Sequence, residues 1–167
     1  MNVSPDGVEL MHRFEGCRLE AYPDPKTGGD PWTIGWGHTG PDVHPGLIWT
    51  QEQADQQFLD DLVTHQNNVE DCVSVKLEQH QFDALTSIMY NVGPGGPRRD
   101  GIAHLRDGRP STLIRLVNAR DFDRAADAFL AWVSPGSSVE RGLRYRRRCE
   151  RALFLNEDWR AEYAKGP

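Results

Sequence analysis

Apolar positions recur along the chain at two spacings, and the change between them divides it. Val8, Met11 and Phe14 fall on one face of a helix that Ser4 can cap, with Pro5 at its first position and Gly16 as its stop. Glu15 therefore sits in its last turn. From Cys17 to His38 the helical period disappears, because Pro23, Pro25, Gly28, Gly29 and Pro31 break the chain into turns around short segments containing Tyr and Trp. The run AYPDPKTGGDPWTIGWGH is the only part that reads as β-structure, a small twisted hairpin or three-stranded sheet.

After a loop from Gly40 to Gly46 the helical period returns and persists. Thr50 and Gln53 form a capping box, followed by Ala54, Phe58, Leu62 and Val69 on one face of a long helix. A second stripe, Phe82, Leu85, Ile88, Met89 and Val92, ends at Gly93 and Pro94, and Ser111 caps a short helix through Val117. Phe122, Ala125, Phe129 and Trp132 mark another helix, and a Ser137 to Glu140 capping box opens the last, which carries Val139, Leu143 and Leu153. Pro94 to Pro110 is the longest loop. The pattern predicts an α+β protein of one domain, with an N-terminal lobe over 1–50 carrying the hairpin or sheet, a connecting helix over 51–69 and a mainly helical lobe over 70–167.

Composition narrows what such a fold can do. At 167 residues, 38% of them hydrophobic, the chain is long enough to bury a core without staples. A net charge of −6 argues against a general nucleic-acid binder, which draws its affinity from neutralising phosphates. The charge is unevenly spread, however: Arg141 to Arg151 holds six arginines and one acid, Glu150, and is near +5. That stripe fits either a salt-bridged helix face or a surface for an anionic polymer or membrane. Cys17, Cys72 and Cys149 form neither a disulfide framework nor a CxxC motif, so they are expected to be reduced, buried thiols. Met1 to Arg13 lacks the apolar run of a signal peptide or membrane span.

Glycoside hydrolysis needs one carboxylic acid to protonate the leaving oxygen and a second carboxylate to attack or to activate water. Glu15 ends a helix, where the negative end of the macrodipole favours the protonated form. Asp24 follows in a polar turn where an ionised carboxylate is stable. Spacing alone is weak support among 25 acidic residues, but the surrounding residues are more specific. Phe14-Glu15-Gly16-Cys17-Arg18-Leu19, Ala21-Tyr22-Pro23-Asp24 and Trp32-Thr33-Ile34-Gly35-Trp36-Gly37-His38-Thr39 together resemble the tailed-phage lysozyme (endolysin) family of peptidoglycan muramidases, glycoside hydrolase family 24. Phe82-Asp83-Ala84-Leu85, Asn91-Val92-Gly93, Ser111-Thr112-Leu113, Trp132 and the Gly142-Leu143, Arg146-Arg147, Glu150 pattern extend the resemblance through nearly the whole chain.

The resemblance implies a lysozyme-like fold and cleavage of the β-1,4 bond between N-acetylmuramic acid and N-acetylglucosamine, with inversion, causing host cell lysis. Glu15 would be the general acid, Asp24 would activate the attacking water, and Thr33 would help hold that water. It also implies a monomer that needs no cofactor or metal, acts on bacterial peptidoglycan, and stays in the host cytoplasm until a phage holin opens the membrane. The corresponding histidine of the family pairs with an acid on the long helix, which points His38 to Asp61. No HExxH or CxxC motif supports a metal reading of His38 with Asp42 and His44. Gly35 and Gly37 read as tight backbone positions in a strand and turn.

One departure stands out. The family separates its Asp and Thr by five residues, whereas eight lie between Asp24 and Thr33, which leaves Asp30 as a competitor for the second carboxylate. A longer hairpin tip would let the strands keep register. Cys17, two residues past Glu15, reads as a small buried side chain, with a regulatory role as the alternative. In the last helix at least one of Arg146 and Arg147 is expected to point inward to a buried acid, the other reading being contact with acidic peptide stems or lipid head groups. The competing functions are a lytic transglycosylase, which needs only the acid, and a non-catalytic wall-binding or virion structural protein.

Overall fold

The computed structural model describes residues 1–24 and 27–167, so Pro25, one of the expected chain breakers, lies outside the described residues. Helix α1 (Pro5–Phe14) leads into strands β1 (Arg18–Tyr22), β2 (Thr33–Gly35) and β3 (His38–Thr39). Helices follow: α2 (Gln51–Cys72), α3 (Gln79–Val92), α4 (Thr112–Asn118), α5 (Phe122–Phe129), α6 (Glu140–Phe154) and α7 (Trp159–Ala164). The strands form an antiparallel sheet in the order β1-β2-β3. The expected α+β class is what forms.

The chain divides into two compact units, Met11–Thr64 and Met1–Leu10 with His65–Pro167. In the first, Ala21, Ile34 and Val43 make a small core flanked by Trp32, Leu47 and Trp49. The Thr50 and Gln53 capping box is present, with the Thr50 amide donating to Gln53 Oε1 at 2.8 Å and the Gln53 amide to Thr50 Oγ1 at 3.2 Å. Ala54, Phe58, Leu62 and Val69 are all buried, as a single apolar face on α2 requires.

In the second unit α3 is the centre, with every residue from Gln81 to Met89 buried. Ser111 accepts from the Ile114 amide at the start of α4, as expected of a cap. Two local readings change. Ser137 and Glu140 do not form a capping box: the Ser137 hydroxyl donates to the Ser134 carbonyl, and Glu140 accepts from the Gly136 amide, so both side chains tighten the preceding turn. Nor is α6 the last helix. Asp158 caps α7 by accepting from the Arg160 and Ala161 amides, and Trp159 buries its indole at the first position. Trp132 lies just past the end of α5, its amide donating to the Phe129 carbonyl at 3.0 Å.

Both central arginines of α6 point inward. Arg146 and Arg147 are 3% and 0% exposed, and each approaches a different oxygen of the fully buried Glu150 at 3.0 Å. The Ser87 hydroxyl donates to Glu150 Oε1 at 2.7 Å, and Arg147 donates to Asn91 Oδ1 at 2.7 Å. Most of the remaining basic stripe is also paired: Arg144 with Glu140, Arg148 with Glu162 and Arg151 with Asp127. The salt-bridged helix face therefore accounts for most of the excess positive charge.

Removing one member of a buried ion cluster leaves charge without compensation. Glu150→Ala should lower the unfolding free energy by about 3–5 kcal/mol, measured by urea denaturation. A loss below about 1 kcal/mol, the value of an exposed pair, would show that the guanidinium groups reach water.

Candidate active site

Glu15, Asp24, Thr33, His38 and Asp61 all lie in the Met11–Thr64 unit. The hydrogen bonding of α1 continues one residue past Phe14, since the Glu15 amide donates to the Met11 carbonyl at 3.0 Å. Glu15 thus stands half-buried at the negative end of the helix. Gly16 and Cys17 then turn the chain into β1.

Strand β1 changes partner midway. Arg18 pairs with Gly35 and Tyr22 with Thr33, so four steps on β1 oppose two on β2. The extra residues turn to another segment: Trp49 donates its amide to the Leu19 carbonyl, Ala21 to the Leu47 carbonyl, and Glu20 bridges to Ile48. A bulge of this kind bends and twists a strand. Along β1 lies an open trough of about 540 Å³ lined by Cys17 to Pro23. Its lining residues lie between Glu15 and Asp24 in sequence, and neither carboxylate is among them.

Asp24 closes the base of the hairpin tip. Its amide donates to the Gly29 carbonyl at 3.0 Å, and its carbonyl accepts from Thr27 and Gly28 at 3.2 and 2.8 Å. The inserted residues therefore loop out while Tyr22 and Thr33 stay paired. Asp24 is half-buried and Asp30 exposed, the Asp30 carbonyl accepting from the Thr27 hydroxyl at 2.9 Å. Thr33 is half-buried at the start of β2, opposite both Tyr22 and Thr39. Gly35 has φ +62°, and a Cβ there would come within 3.0 Å of the Trp49 ring.

His38 Nδ1 lies 2.9 and 3.0 Å from the two oxygens of Asp61, and Gln57 donates to Asp61 Oδ1 at 2.9 Å. Its other nitrogen, Nε2, is 3.2 Å from Asp42. With side-chain exposures of 14% and 25%, His38 and Asp61 sit between the surface and buried regimes. Among the described residues no group of three or more His, Cys, Asp or Glu is arranged to hold a metal.

A neighbouring group was not legible in the sequence. His12, three residues before Glu15, lies flat on Trp36 with ring centroids 3.7 Å apart and planes within 5°. The Trp36 indole donates to Asp55 Oδ1 at 2.7 Å, and Gln51 donates to the same oxygen at 2.8 Å and to Cys17 Sγ at 3.7 Å. Burial pushes the His12 imidazole below its usual value, against the attraction of Asp55 and Glu15. Burial likewise pushes the Cys17 thiol up, although Cys17 and Cys72 are only half-buried and Cys149 alone of the three is fully so. A thiol held in its protonated form is a poor nucleophile. The signal for this group was Trp36 within TIGWGH, which carries no chemistry until its partner is known.

The chain matches the phage lysozyme family over residues 12–150. It belongs to that family. Similarity to other phage lysozymes and their kin extends over nearly the whole chain. The endolysin of Salmonella phage P22 is 38% identical over 160 residues, which cover 93% of this chain and 99% of that one. The crystal structure of a point mutant of P22 lysozyme superposes with a TM-score of 0.76 at 36% identity, covering 93% of this chain and 99% of that one. The endolysin of Bacillus phage B103 is 40% identical over 155 residues, 93% of this chain but 54% of the relative. The chain thus spans about half the length of the endolysins of Bacillus phages B103 and PZA.

If the contact between His38 and Asp61 stabilises the unit, His38→Asn and Asp61→Asn should each cost about 1–3 kcal/mol. The double mutant should lose less than the sum, because side chains in contact are energetically coupled. Chemical denaturation of the four proteins measures this, and strict additivity would mean that the contact contributes nothing.

Proposed function

We propose that this phage lysozyme is an endolysin that hydrolyses the β-1,4 bond between N-acetylmuramic acid and N-acetylglucosamine in bacterial peptidoglycan, with Glu15 as general acid. The observation that carries the reading is that Glu15 at the end of α1, Asp24 at the base of the hairpin tip and Thr33 at the start of β2 all fall within one compact unit. The open trough along β1 in the same unit suits an extended glycan strand. As general acid, Glu15 delivers a proton to the leaving oxygen.

In this mechanism Asp24 takes a proton from a water molecule as that water attacks the anomeric carbon, and the Thr33 hydroxyl holds the water in place. Attack from the face opposite the leaving group inverts the anomeric centre. Asp24 is preferred over Asp30 because its backbone is fixed by three hydrogen bonds at the loop base, whereas Asp30 is exposed. His38 and Asp61 act structurally, joining β3 to α2 within the same unit.

Glu15→Gln keeps the shape and removes the acidity, so cleavage of purified peptidoglycan should fall by about 10²–10⁴-fold with the fold intact. Asp24→Asn should lose most activity and Asp30→Asn almost none. Mass spectrometry of the fragments should show reducing ends. Products ending in 1,6-anhydro sugars would identify a lytic transglycosylase, and a dead Asp30→Asn beside an active Asp24→Asn would move the second carboxylate into the insertion.

We also infer that access to the wall depends on a separately made holin pore, since the substrate lies outside the cytoplasmic membrane. Among the described residues no helix is long and apolar enough to cross a membrane. Expressed alone in a Gram-negative host, the protein should leave cells intact until the membrane is permeabilised. Prompt lysis without permeabilisation overturns the holin requirement.

A further inference from the structure

His12 and Glu15 are three residues apart at the end of α1, a spacing that makes side chains neighbours on one helical face. The His12 ring is clamped. It lies flat on Trp36 at 3.7 Å and meets the Phe58 ring at 4.6 Å. Trp36 is itself fixed by Asp55, whose carboxylate is held in turn by Gln51. His12 Nε2 is enclosed, with no hydrogen-bond partner among the described residues.

A protonated imidazole carries two N–H donors, and placing one where no acceptor waits is costly. The groups facing the ring come from three places. Glu15 lies on its own helix, Asp55 and Phe58 on α2, and Trp36 on the turn between β2 and β3. The two carboxylates attract positive charge to the ring, and burial outweighs them.

The consequence concerns where a proton rests. In water an imidazole holds a proton about a hundredfold more tightly than a glutamate carboxylate. A freely charging histidine beside Glu15 would take the proton and leave an ion pair with no acid to donate. We propose that His12 is a positioning residue, clamped on Trp36 as an uncharged ring so that Glu15, and not its neighbour, carries the proton delivered to the glycosidic oxygen. The inference rests on the assignment of Glu15 as the general acid.

Two substitutions preserve a flat group for the stack and differ in charge. His12→Phe is neutral, and His12→Arg is a permanent cation able to lie on an indole. The readout is kcat/KM for purified peptidoglycan as a function of pH. His12→Phe should keep the alkaline limb in place. His12→Arg should draw that limb to lower pH, with about a tenfold loss along it, because a cation one helical turn away favours the ionised carboxylate. An unmoved limb in folded His12→Arg would show that charge at this position does not reach Glu15, and overturns the proposal.

A second measurement does not depend on that variant folding. The His12 ring signal followed by NMR should titrate below the ordinary imidazole value of 6.5 in the wild type, and lower still in Glu15→Gln, which removes one attracting carboxylate. Titration at or above 6.5 overturns the proposal while leaving Glu15 as the acid. Wild-type cleavage by Glu15→Gln instead overturns the functional reading, and this inference falls with it.

Discussion

A sheet of five, three and two residues cannot hold itself together, because a patch this small buries too little apolar surface to offset the ordering of its backbone. Its stability has to come from attachment. Within the Met11–Thr64 unit the attachment is to α2 and the segment before it. Ile34 packs with Ala21 and Val43, Gly35 leaves room for Trp49, Trp36 reaches Asp55, and His38 reaches Asp61. The polar contacts are spaced along α2, at Asp55 and Asp61, so the β2 and β3 segment is held at more than one point. The placement of Thr33 at the start of β2 follows from that.

The helical unit uses a different device. Two guanidinium groups and one carboxylate occupy a site shielded from solvent, an arrangement that gains little stability over a well-packed apolar one. It does set strict geometric conditions, because Glu150 must meet Arg146, Arg147 and Ser87 together. A helix α6 rotated from its present setting on α3 would leave at least one of these groups without a partner.

The helices were legible because most announced themselves by an apolar stripe, an end signal or both. Ser4 with Pro5, Thr50 with Gln53, Gly93 and Ser111 all sit where such residues satisfy helix ends. Two local readings failed. Ser137 and Glu140 have capping-box spacing, but their side chains reach backward into a turn, and α7 is too short to show a stripe. At the candidate site, Glu15 could be placed from the helix stop and Asp24 and Thr33 from motif residues. The change of partner along β1 could not, since nothing local says that Leu19 will bond to Trp49. The His12 stack was hidden for the same reason: its meaning lies in residues far apart in sequence, and a lone histidine before a helix end has no chemistry of its own.

The hairpin tip closes on its own hydrogen bonds, from Asp24 to Gly29 and back from Thr27 and Gly28, before the chain returns to β2. Its length is thereby decoupled from the strands it joins. Doubling a flexible loop costs only about 0.6 kcal/mol in closure entropy, so a tip sealed at its base can be lengthened or trimmed with little effect on the pairing of Tyr22 with Thr33. This is a place where the chain can evolve by insertion and deletion, and where an engineered peptide could be grafted beyond Asp24 without disturbing the sheet.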